Sequence, residues 1–334
     1  PKMKMRQLGQ LKTDISPIGI GAMSFADFYG KATNEHSKEV LSTAMDLGVN
    51  HIDTSDIYGM GISEERIGQF LKKNPSAVEF FKIATKGGIE RDALGNNRFN
   101  NSKEHLTEAL DKSLKRLGVD SVELYYVHRR EDGRSIEEVT ETLSSFVKHG
   151  KVRQIGFSEI SPNSLTEASA VHPIAAVQSE YSLSTRYPEL GLLQRTKALD
   201  CSLVAFSPVG RSLLTDKPHD SKKAQTMPFL KENPRFLEPN LKKNIKASEQ
   251  FRSLAFDLGV TAAGLALAWL LHAGTHILPI PGTRSATHLK TMVEGSNLML
   301  SADHLDAIDK ALPVGWAFGD RYSINQWIGP EKYS

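Results

Sequence analysis

What most constrains this chain is an alternation that runs almost from end to end. Short β-branched or apolar runs are each followed, directly or after a loop, by a segment of helical period. The strand candidates are Pro17–Met23, His51–Asp53, Phe80–Thr85, Val122–His128, Val152–Ser158, Ala175–Gln178, Ser202–Ser207 and His276–Ile280. Between them, Asn34–Leu47 puts Val40, Leu41, Ala44 and Leu47 on one stripe, and Ser102–Leu117 and Ile136–His149 repeat the pattern. Asn34 and Ser102 read as helix N-caps, and Gly48, Gly118 and Gly150 stand where a left-handed residue ends a helix. Sequential strand–helix–strand units imply parallel strands. Eight of them with no mid-chain linker predict an α/β fold, a closed (β/α)8 TIM barrel occupying 1–334 as one domain. A doubly wound open sheet is the rival, but no G-x-G-x-x-G opens a helix anywhere in the chain.

Three pieces fall outside the eight units. Residues 3–16 read as an N-terminal β-hairpin that covers the bottom of the barrel. Residues 208–240 form a long Pro-containing loop after strand 7, and residues 313–334 a Gly/Pro-punctuated, aromatic C-terminal tail. In a barrel the site lies at the C-terminal ends of the strands, so a long loop after strand 7 is well placed to border it. Composition narrows the partners. Lys plus Arg number 41 against 39 Asp plus Glu, a net charge of +2, which supplies no electrostatic case for nucleic acid or an anionic membrane. A lone cysteine, Cys201, and the lack of a zinc-spaced Cys/His cluster point to a reducing compartment and no metal. With no signal-like apolar core near the start and no run approaching ~18 apolar residues, the expectation is a cytoplasmic protein acting on a small molecule.

Only the strand ends face such a site. Asp53 ends strand 2 with Tyr58 five residues on, Lys86 follows strand 3, and His128 ends strand 4. Four ionisable groups on neighbouring strand ends would converge on one spot.

The wording around these residues resembles the aldo-keto reductase superfamily. NHIDTSDIYGMGISEERIG is similar to the segment bearing its catalytic Asp and Tyr, IATKGG to the lysine segment, and ELYYVHRRED to the histidine strand. KVRQIGFSEIS, AAVQSEYSL, VAFSPVGRSLL and ILPIPGTRSATHL follow in the family's order, so the likeness runs from about residue 5 to 325. The wording is nearest to the bacterial, fungal and plant members that include pyridoxal-reductase-like and general aldehyde reductases. The resemblance implies a tetrad of Asp53, Tyr58, Lys86 and His128 and an oxidoreductase that moves a hydride between NADPH and an aldehyde or ketone. Elementary chemistry agrees with each role. A phenol of ordinary pKa ~10 is a poor acid near neutrality, and a close cation makes it a better one. Lys86 is that cation, Asp53 holds it, Tyr58 is the general acid, and His128 donates to the carbonyl oxygen.

The same resemblance implies the cofactor residues. Gly21, Ala22 and Met23 end the first strand beside it, and Asp53 borders it. Ser158 and Gln178 hold the carboxamide, and Phe206 offers a stacking face where the family usually has Tyr. Ser207, Val209, Gly210, Arg211 and Ser212 clamp the pyrophosphate. Gly282, Thr283 and Arg284, with His288, meet the adenosine phosphate, which favours NADPH over NADH. Thr291 and Met292 replace the family's Glu and Asn near the adenine, and Glu159 stands where many relatives have Asn. Phe25, Phe28, Tyr29, Arg129, Phe229 and Trp316 are the candidate substrate residues, with Met23, Phe236 and Phe318 as further apolar candidates. Two other readings stay open: a redox-sensing regulatory subunit of the same fold, and a lyase in which Lys86 forms a Schiff base. The oligomeric state and the substrate are left open.

Overall fold

Runs that are apolar on both faces become central strands, because only a parallel sheet covered by helices buries both sides of a strand. The computed structural model describes residues 3–26, 34–283 and 285–334. Its strands, in chain order, are β1 (Arg6–Leu8), β2 (Thr13–Ile15), β3 (Ile20–Gly21), β4 (His51–Asp53), β5 (Lys82–Gly87), β6 (Ile89–Arg91), β7 (Asn97–Phe99), β8 (Val122–Val127), β9 (Val152–Ser158), β10 (Ala176–Glu180), β11 (Ser202–Phe206) and β12 (Ile277–Pro279). Eight of these, β3, β4, β5 and β8 to β12, pair in parallel in that order. The last meets the first. Gly19 N donates to Pro279 O and Gly21 N to Pro281 O, each at 3.0 Å, and Gly21 bridges Gly282. A Cβ on Gly21 would lie 2.8 Å from Ile280 O, so this close approach of backbones needs glycine. The barrel of eight strand–helix units is as expected.

Two cores result. Ala84, Leu124, Tyr126, Ala176, Val204, Leu278 and Ile280 fill the barrel interior, and Leu8 and Ile15 of the β1–β2 hairpin complete it. The hairpin is therefore the floor anticipated for residues 3–16. Its Arg6 guanidinium donates to the carbonyls of Leu271, Gly274 and Ile277 at 2.6–2.8 Å, closing off the end of helix Ala262–Ala273. The larger core lies between the strands and the surrounding helices. Ala262–Ala273 is apolar all round because it is buried there, and no single helix among the described residues is long and apolar enough to cross a membrane.

Local signals hold where they are chemical. Ser102 Oγ accepts from His105 N, and Gly48, Gly118 and Gly150 all take positive φ, at 78°, 66° and 73°, whereas Asn34, expected as a cap, already lies within the helix Asn34–Leu47. Boundaries shift where the signal was only apolar. Phe80 ends a short helix, Ser76–Phe80, and the strand begins at Lys82; the first strand contracts to Ile20–Gly21 ahead of a 3-10 turn, Ala22–Phe25. A short apolar run fits either element by periodicity alone. The β6–β7 hairpin after β5 was not foreseen. Its turn is tied by Asp92 Oδ1, which accepts from Leu94 N and Asn96 N. The expected long loop holds the helix Ser221–Gln225 and three 3-10 turns, and the helices Asn240–Ala247 and Glu249–Asp257 follow.

Candidate active site

Lys86 lies at the inward end of β5, fully buried, and its ammonium is shared among three acceptors. Asp53 Oδ1 is 2.5 Å away, Thr54 O 2.9 Å and the Tyr58 hydroxyl 3.1 Å. Asp53, at the end of the neighbouring strand, accepts on its other oxygen from Gln178 Nε2 at 2.8 Å. Burial pushes the ammonium towards the neutral form, but the Asp53 charge and Tyr58 outweigh it and hold its pKa above the ordinary lysine value. Tyr58 is half-buried in the loop after β4, which ties back to β5 through Thr54 N to Ala84 O and Asp56 N to Lys86 O. His128 follows β8, its backbone N donating to Gly87 O, and its ring meets the Tyr58 ring edge-on at 5.9 Å. Burial, then the charges of Lys86 and Arg129, keep the imidazole well below its usual pKa, so the ring is neutral. The structure thus brings together the four residues singled out from the strand ends.

Around this group stand the residues expected to hold a dinucleotide. Phe206 ends β11 half-exposed, above the interior core, and Ser207, Gly210, Arg211 and Ser212 all have positive φ in the turn after it. Gly282 is exposed, and a Cβ there would meet nothing within 4 Å. Next to it Ser285 caps the 11-residue helix Ala286–Ser296, its Oγ accepting from His288 N. A half-exposed aromatic ring, a turn carrying backbone N–H groups and a helix start suit a cofactor with a flat ring and phosphates. Arg284, Phe28 and Tyr29 lie outside the described residues.

Residues 17–313 match the model of the aldo/keto reductase family. The chain belongs to the aldo/keto reductase family. It is 36% identical over 312 residues to the NADP(+) aldo-keto reductase yakc of Schizosaccharomyces pombe, covering 92% of each chain. A probable aldo-keto reductase of Glycine max is also 36% identical, over 95% of this chain and 91% of the relative. Among solved structures, an aldo-keto reductase from Bacillus halodurans in its holo form superposes with a TM-score of 0.77 at 26% identity, over 97% of this chain and 99% of that one. A glycerol dehydrogenase from Gluconobacter oxydans, at 24% identity and TM-score 0.81, covering 92% and 94%, shares the fold.

Several expected ligand residues of this aldo/keto reductase do other work. Met292, Phe25 and Trp316 are packed in the main core, and the Trp316 indole donates to Leu183 O at 2.9 Å. Phe236 is buried in the same core. Arg211 is not free for a phosphate: it grips both oxygens of Glu180, at 2.7 and 3.0 Å, and lies over the rings of Phe229 and Tyr322. Gln178 already serves Asp53, and Ser158 Oγ accepts from Arg129 at 3.0 Å. Gly21 and Ala22 are held at the barrel seam and by Ser63, which donates to Ala22 O, while Met23 remains exposed. Val209 packs on the core, and Thr283 is buried with its hydroxyl on Pro281 O.

A network of buried ion pairs among β9, β10 and the tail has no counterpart in the sequence pattern. Glu159, left-handed at φ 59°, receives both terminal nitrogens of Arg321 from the tail, at 2.5 and 3.0 Å, and the Ser334 hydroxyl. Arg321 also reaches Glu180 at 3.0 Å. Burial raises the Glu180 carboxyl, but Arg211, Arg321 and Arg235 overcome it and hold the pKa at about 2. Partners more than a hundred residues apart leave no local pattern to read.

Proposed function

We propose that this aldo/keto reductase reduces aldehyde or ketone carbonyls to alcohols, reversibly, with NADPH as its cofactor. The observation that carries the reading is the Lys86 ammonium, 3.1 Å from the Tyr58 hydroxyl and fixed by Asp53 at 2.5 Å. NADPH, when bound, would supply the hydride for the carbonyl carbon. Tyr58 gives its proton to the carbonyl oxygen, and Lys86 stabilises the charge developing on the phenol oxygen as that proton leaves. His128, neutral and edge-on to Tyr58, donates a hydrogen bond to the same carbonyl oxygen. In oxidation Tyr58 takes the proton back. Phe206 would stack on the nicotinamide, the turn from Ser207 to Ser212 would hold the pyrophosphate by backbone donors, and Gly282 and Arg284 with the helix start would meet the adenosine phosphate. The name of the Schizosaccharomyces pombe relative, with its NADP(+), supports this choice of cofactor. An imine role for Lys86 runs against its raised pKa and three acceptors, since a nucleophilic lysine needs a free lone pair.

The test is Tyr58→Phe. Reduction of an aromatic aldehyde should fall by roughly 10²–10⁴-fold, the usual worth of a general acid, while NADPH binding and the circular dichroism spectrum stay unchanged. A variant that kept more than about a tenth of the wild-type kcat would remove Tyr58 from this role.

A further inference from the structure

His128 has a neighbour besides Tyr58. Its Nδ1 lies 3.1 Å from Ser55 Oγ, inside the loop that carries Tyr58. That oxygen also accepts from Ile57 N at 3.3 Å and lies 3.4 Å from Asp56 Oδ1. A neutral imidazole has one N–H, and its position decides whether Nε2 can donate to a carbonyl oxygen or only accept. The Ser55 hydroxyl has one proton to give. Given to Nδ1, it leaves the ring proton on Nε2, the form that can donate. Given to Asp56, it turns a lone pair towards Nδ1, which must then carry the proton, and Nε2 becomes an acceptor.

We propose that Ser55 is the positioning residue for His128: its hydroxyl donates to Nδ1 and keeps the ring proton on Nε2, and the Asp56 carboxylate competes for that hydroxyl. The contact to Nδ1 is the shorter of the two, and Ile57 N–H anchors the oxygen between them. Asp56 is set up to matter near neutrality. Burial, then the charge of Glu64 on helix Ile62–Lys73, raise its pKa to about 7 against Arg116 of helix Lys103–Leu117, the Ser55 hydroxyl and Lys86 of β5. The Tyr125 phenol of β8 also faces it. Below that value Asp56 is protonated and leaves the Ser55 proton to His128; above it the carboxylate draws that proton away.

The consequence for rate rests on the reduction reading, but the tautomer does not. The experiment is nitrogen NMR of the full chain labelled at histidine, with the His128 signals assigned by their loss in His128→Gln. Wild type at pH 6 should show Nε2 protonated and Nδ1 bare, shifting towards the other tautomer by pH 8. Ser55→Ala should abolish that preference and lower kcat for benzaldehyde roughly tenfold with NADPH affinity unchanged, the size expected when one hydrogen bond is misdirected. Ser55→Thr, which keeps the hydroxyl, should restore both. Asp56→Asn should hold the Nε2 form up to pH 8. A wild-type ring protonated on Nδ1 at pH 6, or a Ser55→Ala enzyme with unchanged tautomer, overturns the proposal. Should Ser55→Ala fail to fold, the wild-type and Asp56→Asn spectra decide alone. A bare Nδ1 in a wild-type enzyme that reduces no carbonyl would refute the function and leave this assignment standing.

Discussion

Replacing Lys86 by Met tests how the site is held together as well as what it does. The two side chains are of similar length, so the change removes an ammonium while roughly keeping volume. Lys86 and Asp53 are 0% and 2% exposed and 2.5 Å apart. With the ammonium gone, Asp53 keeps the Gln178 amide at 2.8 Å but loses its countercharge. Stranding one member of a buried ion pair costs about 3–5 kcal/mol. At roughly 2 °C per kcal/mol for a domain of this size, the melting point should fall by roughly 6–10 °C. Adding Asp53→Asn removes the stranded charge, and replacing both members of a buried pair is often close to neutral, so the double variant should regain at least half the loss. The sign with pH follows from the raised pKa of Lys86. Its stabilisation is complete below the unfolded value of ~10.4 and lost only as pH rises through the folded value, so the gap to wild type should stay flat from pH 6 to 9. Thermal and urea denaturation followed by circular dichroism measure all of this, with aldehyde reduction assayed alongside. A Lys86→Met protein within about 1 kcal/mol of wild type, or a double variant that loses the sum of the two single changes, would refute the electrostatic argument.

Arg284→Ala should weaken NADPH about tenfold to a hundredfold and barely change NADH, because a charge-assisted contact to the extra phosphate contributes ~1.5–3 kcal/mol. Tryptophan fluorescence titration reads both constants, and equal losses would end the case for Arg284 as the phosphate reader. Glu180, held at about 2 against an ordinary carboxyl of 4.5, contributes stability that is present above pH ~4.5 and lost as pH falls towards 2. That shift corresponds to about 3 kcal/mol, so Glu180→Gln should flatten the acid limb of a stability-against-pH curve over this window. An unchanged acid limb would mean that Arg211, Arg321 and Arg235 do not hold Glu180 in this way.

The barrel was legible because each strand is a short, doubly buried run and each helix a one-sided stripe, and these patterns are local. The convergence of Asp53, Tyr58, Lys86 and His128 was legible because strand ends in a barrel are spatially fixed once the strands are counted; Lys86 and His128 needed no knowledge of side-chain packing. Phe80 was misplaced because a few apolar residues obey either period. The burial of Phe25, Met292 and Trp316 was not legible for a related reason: a large apolar side chain near a site satisfies the core and a ligand pocket by the same chemistry. The pairing of Arg211 was hidden differently, since a guanidinium in a turn suits a phosphate until the buried carboxylate that takes it is known. Ser55 carried no signal at all, for a hydroxyl shows its purpose only through the atom it faces.

The Glu159–Arg321 pair has a bearing on how this chain can change. Glu159 is buried in a left-handed turn at the top of β9, and Arg321 comes from the far tail. Replacing Glu159 by a neutral Asn would strand a fully buried guanidinium, whose remaining carboxylate, Glu180, is already committed to Arg211. Changing Arg321 first would strand Glu159 instead. Neither single step is neutral, so the two positions behave as one heritable unit, and descendants of this chain should exchange them together or keep both.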